Sequence, residues 1–153
     1  MSERPGPWRV RDLQADDLEP LLRLYQQLHS ADPPLPRERA LELWQAILGD
    51  PAQIYLGGFA GDELVSACCA AIVPNLTRAG RPYAVIENVI TAADYRRKGL
   101  GREVLEALIV RCWQRDCYKI MLMSGSVRGE AHSFYEAIGF DRLAKQAFTI
   151  RRP

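Results

Sequence analysis

"PYAVIENVITAADYRRKGLGREVLEAL", residues 82–108, is the stretch on which the fold turns. Its first part, 82–91, is apolar apart from two polar residues at its centre, Glu87 and Asn88, and reads as a strand. Three cations, Arg96, Arg97 and Lys98, then run into Gly99 and Gly101. A helical stripe starts at once: Leu100, Val104, Leu105, Leu108 and Cys112 recur on one face of a helix over 99–115. The short apolar run "YKIMLM" (118–123) follows and reads as a strand buried on both faces. Strand, helix, strand in that order is a βαβ unit, whose two strands lie parallel and adjacent.

Working outward, "WRVRDL" (8–13) alternates and reads as a first strand after a loose, flexible N-terminus, residues 1–7. Residues 15–30 read as a helix with the apolar stripe Leu18, Leu21, Leu22, Tyr25 and Leu28, and with Asp16 and Asp17 suited to its positive N-terminal end. "ADPPLP" breaks the chain before a second helix at about 36–48. "QIYLGGFA", the turn "GD" and "ELVSACCAAIV" make a hairpin. Beyond the βαβ unit, "GEAHSFYEAI" is a helix ended by Gly139, and "FDRLAKQAFTIR" reads as one or two closing strands. The order β-α-α-β-β-β-α-β-α-β is that of a mixed α/β (α+β) sheet of 6–7 strands with no repeats and no second domain, so residues 8–153 form a single domain.

The chain of 153 residues is long enough for one sizeable core, and its 48% hydrophobic content is that of a globular protein. A formal net charge of +1 gives no reason to expect nucleic acid or an anionic membrane as partner. No apolar run approaches the roughly 20 residues of a membrane span, and "MSERPGPW" lacks the apolar core of a signal peptide, so a cytoplasmic location is expected. The four cysteines, Cys68, Cys69, Cys112 and Cys117, match no zinc spacing and read as buried thiols, with Cys68 and Cys69 on opposite sheet faces. No metal is expected.

The glycine-basic stretch has its own chemistry. A helix start leaves backbone N–H groups unpaired and partly positive. Gly99 and Gly101 let a ligand reach that backbone, and Arg96, Arg97 and Lys98 add full charges. The result is an anion site suited to a pyrophosphate. A dinucleotide fingerprint fails, because Val104 stands where the third glycine is needed, and a Walker A loop fails, because the lysine precedes the glycine. A solvated basic turn is the plain alternative.

Arg96-x-x-Gly99-x-Gly101 resembles the R/Q-x-x-G-x-G/A signature of the GNAT acetyl-CoA-dependent N-acetyltransferases. "AHSFYEAIGF" (131–140), about 35 residues further on, is similar to that family's later block, and the element order matches over nearly the whole chain. The resemblance implies a three-layer fold whose mostly antiparallel sheet has a central parallel pair, splayed to hold CoA and flanked by about four helices. It implies acetyl-CoA as co-substrate, held by the backbone of Arg97, Lys98, Gly99, Leu100 and Gly101 with Arg96 and Arg102 beside them. It implies that Val89, Ile90 and Thr91 pair with the pantetheine arm, with Ser124 and Ser126 at the end of the second splayed strand. Many members carry asparagine three residues before the alanine of the second block; Arg128 stands there in this chain. The acceptor implied is a small-molecule or protein amine. A homodimer is common in the family.

Acetyl transfer by direct attack needs a proton acceptor for the amine, a donor to the developing oxyanion and a donor to the leaving thiolate. Glu87 is a candidate base, a candidate substrate contact with Asn88, or a structural ion-pair partner. Alternation puts Asn88 on the face opposite Glu87 unless a bulge intervenes. Within the resemblance, Tyr135 is the candidate acid toward the CoA sulfur and the N–H of Val89 the oxyanion donor. His29 and His132 read as structural or solvated, while Tyr25, Trp44 and "DPPLP" are candidates to line the acceptor pocket. A binding module that senses acyl-CoA without turnover needs the glycines but neither Tyr135 nor Glu87.

Overall fold

The structure, a computed structural model, describes residues 7–125 and 129–153. Ser126, Arg128 and the first six residues of the expected loose end lie outside the described residues. The element order is β1 (Trp8–Asp12), α1 (Leu18–Leu28), α2 (Arg37–Gly49), β2 (Gln53–Ala60), β3 (Glu63–Val73), β4 (Tyr83–Thr91), α3 (Leu100–Gln114), β5 (Ile120–Leu122) and α4 (Gly129–Ile138). Short 3-10 turns precede α1 and α3. The chain divides into two compact units, one up to Met121 and one from Leu122 to Pro153.

The sheet has five strands in the order β1-β2-β3-β4-β5. β1 to β4 form an antiparallel meander, and α3 carries the chain across to β5, which lies parallel to β4. Backbone bonds from Tyr118 N to Pro82 O (2.9 Å) and from Ala84 N to Lys119 O (3.1 Å) join the segments where β4 begins. β4 is nine residues long and β5 only three, so β4 runs on past its parallel neighbour.

Adjacent glycines on β2 show how the faces divide. A side chain at Gly58 would meet Leu100 and Val104 of α3, whereas one at Gly57 would meet Leu13 and Leu64. Cys68 and Cys69 divide in the same way. The Cys68 thiol donates to Val104 O of α3, and Cys69 donates to Glu87 O on the strand beside it. The α3 face is filled by the stripe read from the sequence: Leu100, Val104, Leu105, Leu108 and Cys112 are all buried. The other face packs Leu18, Leu21 and Leu24 of α1 and Ala40 and Trp44 of α2 against Phe59, Leu64, Ala67 and Ile90. Trp44 is thus core, and its indole donates to Gln14 O at 3.2 Å.

Two expectations fail. The closing strands in 140–151 do not form, so the described residues hold five strands rather than 6–7. Apolar alternation supplies a strand's side chains but not the neighbour its backbone must pair with. Ile120–Leu122 is also only partly buried, because β5 ends the sheet instead of lying inside it.

An ion pair ties β1 to the entry of α1. Arg11 donates to both Asp17 oxygens, at 2.6 and 3.1 Å, and stacks 4.0 Å from the centre of the Phe59 ring. Asp17 is 7% exposed and also accepts from Gln14 N. The Arg11 hydrogen bonds hold the Asp17 carboxyl below its usual range, despite an opposing burial cost. A depressed carboxyl pKa stabilises the fold above the unfolded value near 3.9 and loses that stabilisation as pH falls through the folded value. Asp17→Asn should therefore cost about 1–3 kcal/mol at neutral pH. It should also flatten the fall in melting temperature between about pH 5 and pH 2. Melting curves across that range check both effects.

Candidate functional site

The first unit carries a loop between β4 and α3 shaped by backbone conformation. Ala93–Tyr95 makes a 3-10 turn, and the Arg96 guanidinium folds back to donate to Thr91 O at 2.9 Å. Arg97 has φ 60° and Gly99 has φ 90°, both left-handed. Such reversals turn successive N–H groups toward one side, which makes an anion-binding concavity. The N-cap of α3 is Gly99, which has no side chain to cap the helix, and among the described residues a Cβ there would meet no atom within 4 Å. Gly99 is exposed at the start of α3, with Arg96, Arg97 and Lys98 exposed beside it. Lys98 rests its ammonium 5.3 Å from the Tyr95 ring centre, and Arg102 pairs with Glu106 at 2.7 Å. The side chains of Leu100 and Ile90 are buried in the core, so at those positions only backbone is available.

The loop is anchored at the end of β4. Ser66 donates to Ile90 O at 3.1 Å and its hydroxyl lies 2.8 Å from that of Thr91. Ala92 N donates to Val65 O at 2.8 Å, and Gln27 of α1 accepts from Ala93 N.

Upstream, β4 is bulged. Ala67 faces Ile90 while Cys69 faces Glu87, so two steps on β3 span three on β4. Asn88 takes up the extra residue with φ 52°. The bulge defeats simple alternation: the Asn88 amide reaches toward the Cys69 sulfur (4.0 Å), on the face where Cys69 and Glu87 are cross-strand partners. Glu87 and Asn88 therefore share the α1 side of the sheet. Glu87 is exposed.

Beside them lies a neutral polar cluster. The Tyr25 hydroxyl of α1 is buried beside the Asn88 side chain. Burial, and then the neighbouring Cys69, push its pKa far above the usual phenol range. Burial likewise raises Tyr55, and pushes Cys69 up to about 11. The cluster thus stays uncharged at neutral pH and offers O–H and S–H groups. The pairing of Cys69 and Tyr55 with this site was not legible in the sequence, because it depends on hairpin register.

The second unit holds Ser124, α4 and the tail. The Ser124 hydroxyl is buried without a hydrogen-bond partner among the described residues. Tyr135 is half-buried on α4, edge-on to Phe134 (5.3 Å) and Phe140 (6.0 Å). Gly139, at φ 117°, closes the helix: Phe140 N donates to Tyr135 O and Gly139 N to Glu136 O. His132 lies 2.8 Å from Gly125 O through Nε2, a structural contact, and His29 is exposed at the end of α1.

Among the described residues no group of three or more His, Cys, Asp and Glu could hold a metal ion. No described helix is long and apolar enough to cross a membrane.

Residues 15–140 match the family model described as the Acetyltransferase (GNAT) family. A solved structure assigned as an acetyltransferase from Agrobacterium tumefaciens str. C58 superposes with a TM-score of 0.90 at 39% identity, covering 94% of this chain and 99% of that one. The uncharacterized N-acetyltransferase YsnE of Bacillus subtilis (strain 168) is 31% identical over 75% of this chain and 74% of its own. Glucosamine 6-phosphate N-acetyltransferase of Trypanosoma brucei brucei is 32% identical over 84 residues, and the match spans 55% of each chain.

Proposed function

We propose, since this chain belongs to the GNAT acetyltransferase family, that it moves the acetyl group of acetyl-CoA onto a primary amine by direct attack. The observation that carries the reading is the glycine-capped start of α3, with left-handed residues at Arg97 and Gly99. The backbone of residues 97–101 would hold the pyrophosphate, with Arg96, Lys98 and Arg102 adding charge around it. Val89, Ile90 and Thr91 would pair with the pantetheine arm through their backbone, and Ser124 is a candidate contact to it in this reading. When bound, acetyl-CoA supplies an activated acetyl group. Both units, 8–153 together, act as one acetyltransferase domain in this reading.

The chain's own residues then divide the work. Glu87 and Asn88 meet the acceptor on the α1 face, where an ammonium is attracted to the exposed carboxylate and its proton has an acceptor. The Tyr25 hydroxyl, beside Asn88, gives the acceptor a neutral hydrogen-bonding group nearby. The Val89 N–H, beside the bulge, donates to the acetyl oxygen as charge builds there. Tyr135 protonates the departing sulfur.

Two experiments test the reading. Acetyl-CoA should raise the melting temperature by linkage, and Arg97→Ala should weaken that rise. A screen of amines, sugar phosphate amines and aminoglycosides included, should then release free thiol. An unchanged melting temperature at millimolar acetyl-CoA would sink the cofactor assignment. Binding without thiol release on any amine would leave an acyl-CoA sensor.

Glu87→Gln should lower kcat/KM for the amine about 10-fold or more. A rise in KM alone marks recognition of positive charge; a fall in kcat with a changed acidic limb of the pH profile marks a base. Unaltered kinetics would remove Glu87 from the site.

A further inference from the structure

Among the described residues, five that are not glycine have a left-handed φ. Asn88 and Arg97 belong to the site above. Arg78, Ala79 and Asp116 lie elsewhere in the first unit, where β3 turns into β4 and where α3 turns into β5. Arg78 (φ 54°), Ala79 (57°) and Gly80 (77°) follow one another, and Gly80 N closes the turn by donating to Thr77 O at 3.1 Å. Such backbone is costly for a residue with a Cβ and persists only where its surroundings hold it, commonly at functional places. Here the two loops hold each other. Arg81 donates to Asp116 Oδ1 through Nε (3.2 Å) and Nη2 (2.9 Å), and Tyr118 N donates to Pro82 O.

What this clamp displays is basic and aromatic. The Tyr83 and Tyr118 rings meet edge to face at 6.5 Å. The Lys119 ammonium lies 5.4 and 5.2 Å from their centres, and the Arg78 guanidinium 5.7 Å from that of Tyr118. The carboxylate between the two loops, Asp116, is taken by Arg81, so Arg78 and Lys119 rest on rings and not on an opposite charge. Cations held in place this way lose little freedom when a partner arrives. Beside them Leu76 is 100% exposed, yet its loop is fixed: Asn75 accepts from Thr77 N at 3.4 Å and donates to the Thr77 hydroxyl at 2.9 Å. Two cations and a bare leucine match carboxylates with an apolar side chain among them. Tyrosine and arginine are enriched at protein interfaces. A single-stranded nucleic acid would need the ring faces for base stacking, and cations lie over those faces here.

We infer that Leu76, Arg78, Tyr118 and Lys119, on these clamped loops, form a docking surface for an acidic segment of a partner protein. Carboxylates of the segment meet Arg78 and Lys119, and an apolar side chain meets Leu76. The surface lies where β4 starts, and the candidate site lies toward its end. The inference rests on this patch alone and stands apart from the acetyltransferase reading.

The probe is a blocked decapeptide of glutamate and aspartate with a leucine and a phenylalanine at its centre. At low salt it should bind the full chain with a Kd below about 1 mM. Binding should weaken as salt rises, and the NMR amide signals of 75–83 and 116–119 should shift. Arg78→Glu with Lys119→Glu should weaken it about 10-fold or more, and Leu76→Ala should weaken it severalfold. Should the charge-reversed protein fail to fold, Arg78→Ala with Lys119→Ala reads the same cations. A Kd above about 1 mM overturns the inference. Shifts confined to residues 96–102 would place the peptide on the basic loop before α3 and overturn it too. So would binding undiminished by the double substitutions, or binding indifferent to Leu76→Ala, which would leave charge attraction alone. A ten-nucleotide oligothymidylate that binds through the same residues more tightly than the peptide would make the patch a nucleic-acid surface and overturn the protein partner.

Discussion

Tyr135→Phe should lower kcat by about 10- to 1000-fold while leaving the fold and acetyl-CoA binding nearly unchanged. The packing argument comes first. Tyr135 stands edge-on to Phe134 and Phe140, and the Phe140 contact accompanies the backbone bonds that end α4. Phenylalanine keeps the ring and both contacts, so the helix end should survive. Only the hydroxyl is lost. If that hydroxyl protonates the leaving thiolate, the loss appears in kcat and not in the dissociation constant for acetyl-CoA. It should also shrink with a thioester whose thiol is more acidic, because a better leaving group needs less protonation. A folded Tyr135→Phe protein with full activity would remove Tyr135 from the mechanism and leave water as the proton source. A lower melting temperature with unchanged kcat would make the residue a packing element alone.

How much of this was legible in the sequence depended on whether the cause is local. The α3 stripe was legible residue by residue, because helical periodicity and burial are one constraint. The glycine-basic loop was legible because a helix start, two glycines and three cations are contiguous. The bulge at Asn88 was not. Two polar residues in an apolar strand signal a disturbance, but alternation alone sends Glu87 and Asn88 to opposite faces, and only the register against Cys69 brings them together. The Arg11–Asp17 pair was missed for a related reason. Asp17 suits a helix N-terminus by position, and nothing local says that an arginine six residues back turns onto it. The stretch 140–151 reads as one or two strands from its side chains; whether a strand forms is decided by a neighbour that the sequence pattern does not contain.

A substitution far from the chemistry should show how tightly the loop depends on packing. Gly58 sits on β2 under the first turns of α3. A Cβ there would lie 2.6 Å from Val104 Cγ2, 2.8 Å from Leu100 Cδ1 and 3.2 Å from Leu100 Cγ. Contacts that short cannot persist. Val104 is β-branched and stiff, and both residues are essentially fully buried, so neither has room to turn aside. Gly58→Val must therefore lift the N-terminal end of α3 off the sheet. Overpacking of this kind costs about 1–3 kcal/mol, which lowers Tm by about 2–12 °C for a chain of this size. Leu100 is the first residue of α3 and follows Gly99, so the displacement reaches the loop before α3 directly. Acetyl-CoA should bind more weakly to Gly58→Val, and Gly58→Ala should fall between it and the parent on both measures. Gly49→Ala is the control: a Cβ there meets nothing within 4 Å, so it should be neutral or slightly stabilising and leave binding intact. If Gly58→Val melts and binds like the parent, α3 is not seated on β2 at this depth. If it melts lower yet binds acetyl-CoA unchanged, the loop holds its shape independently of the helix it begins.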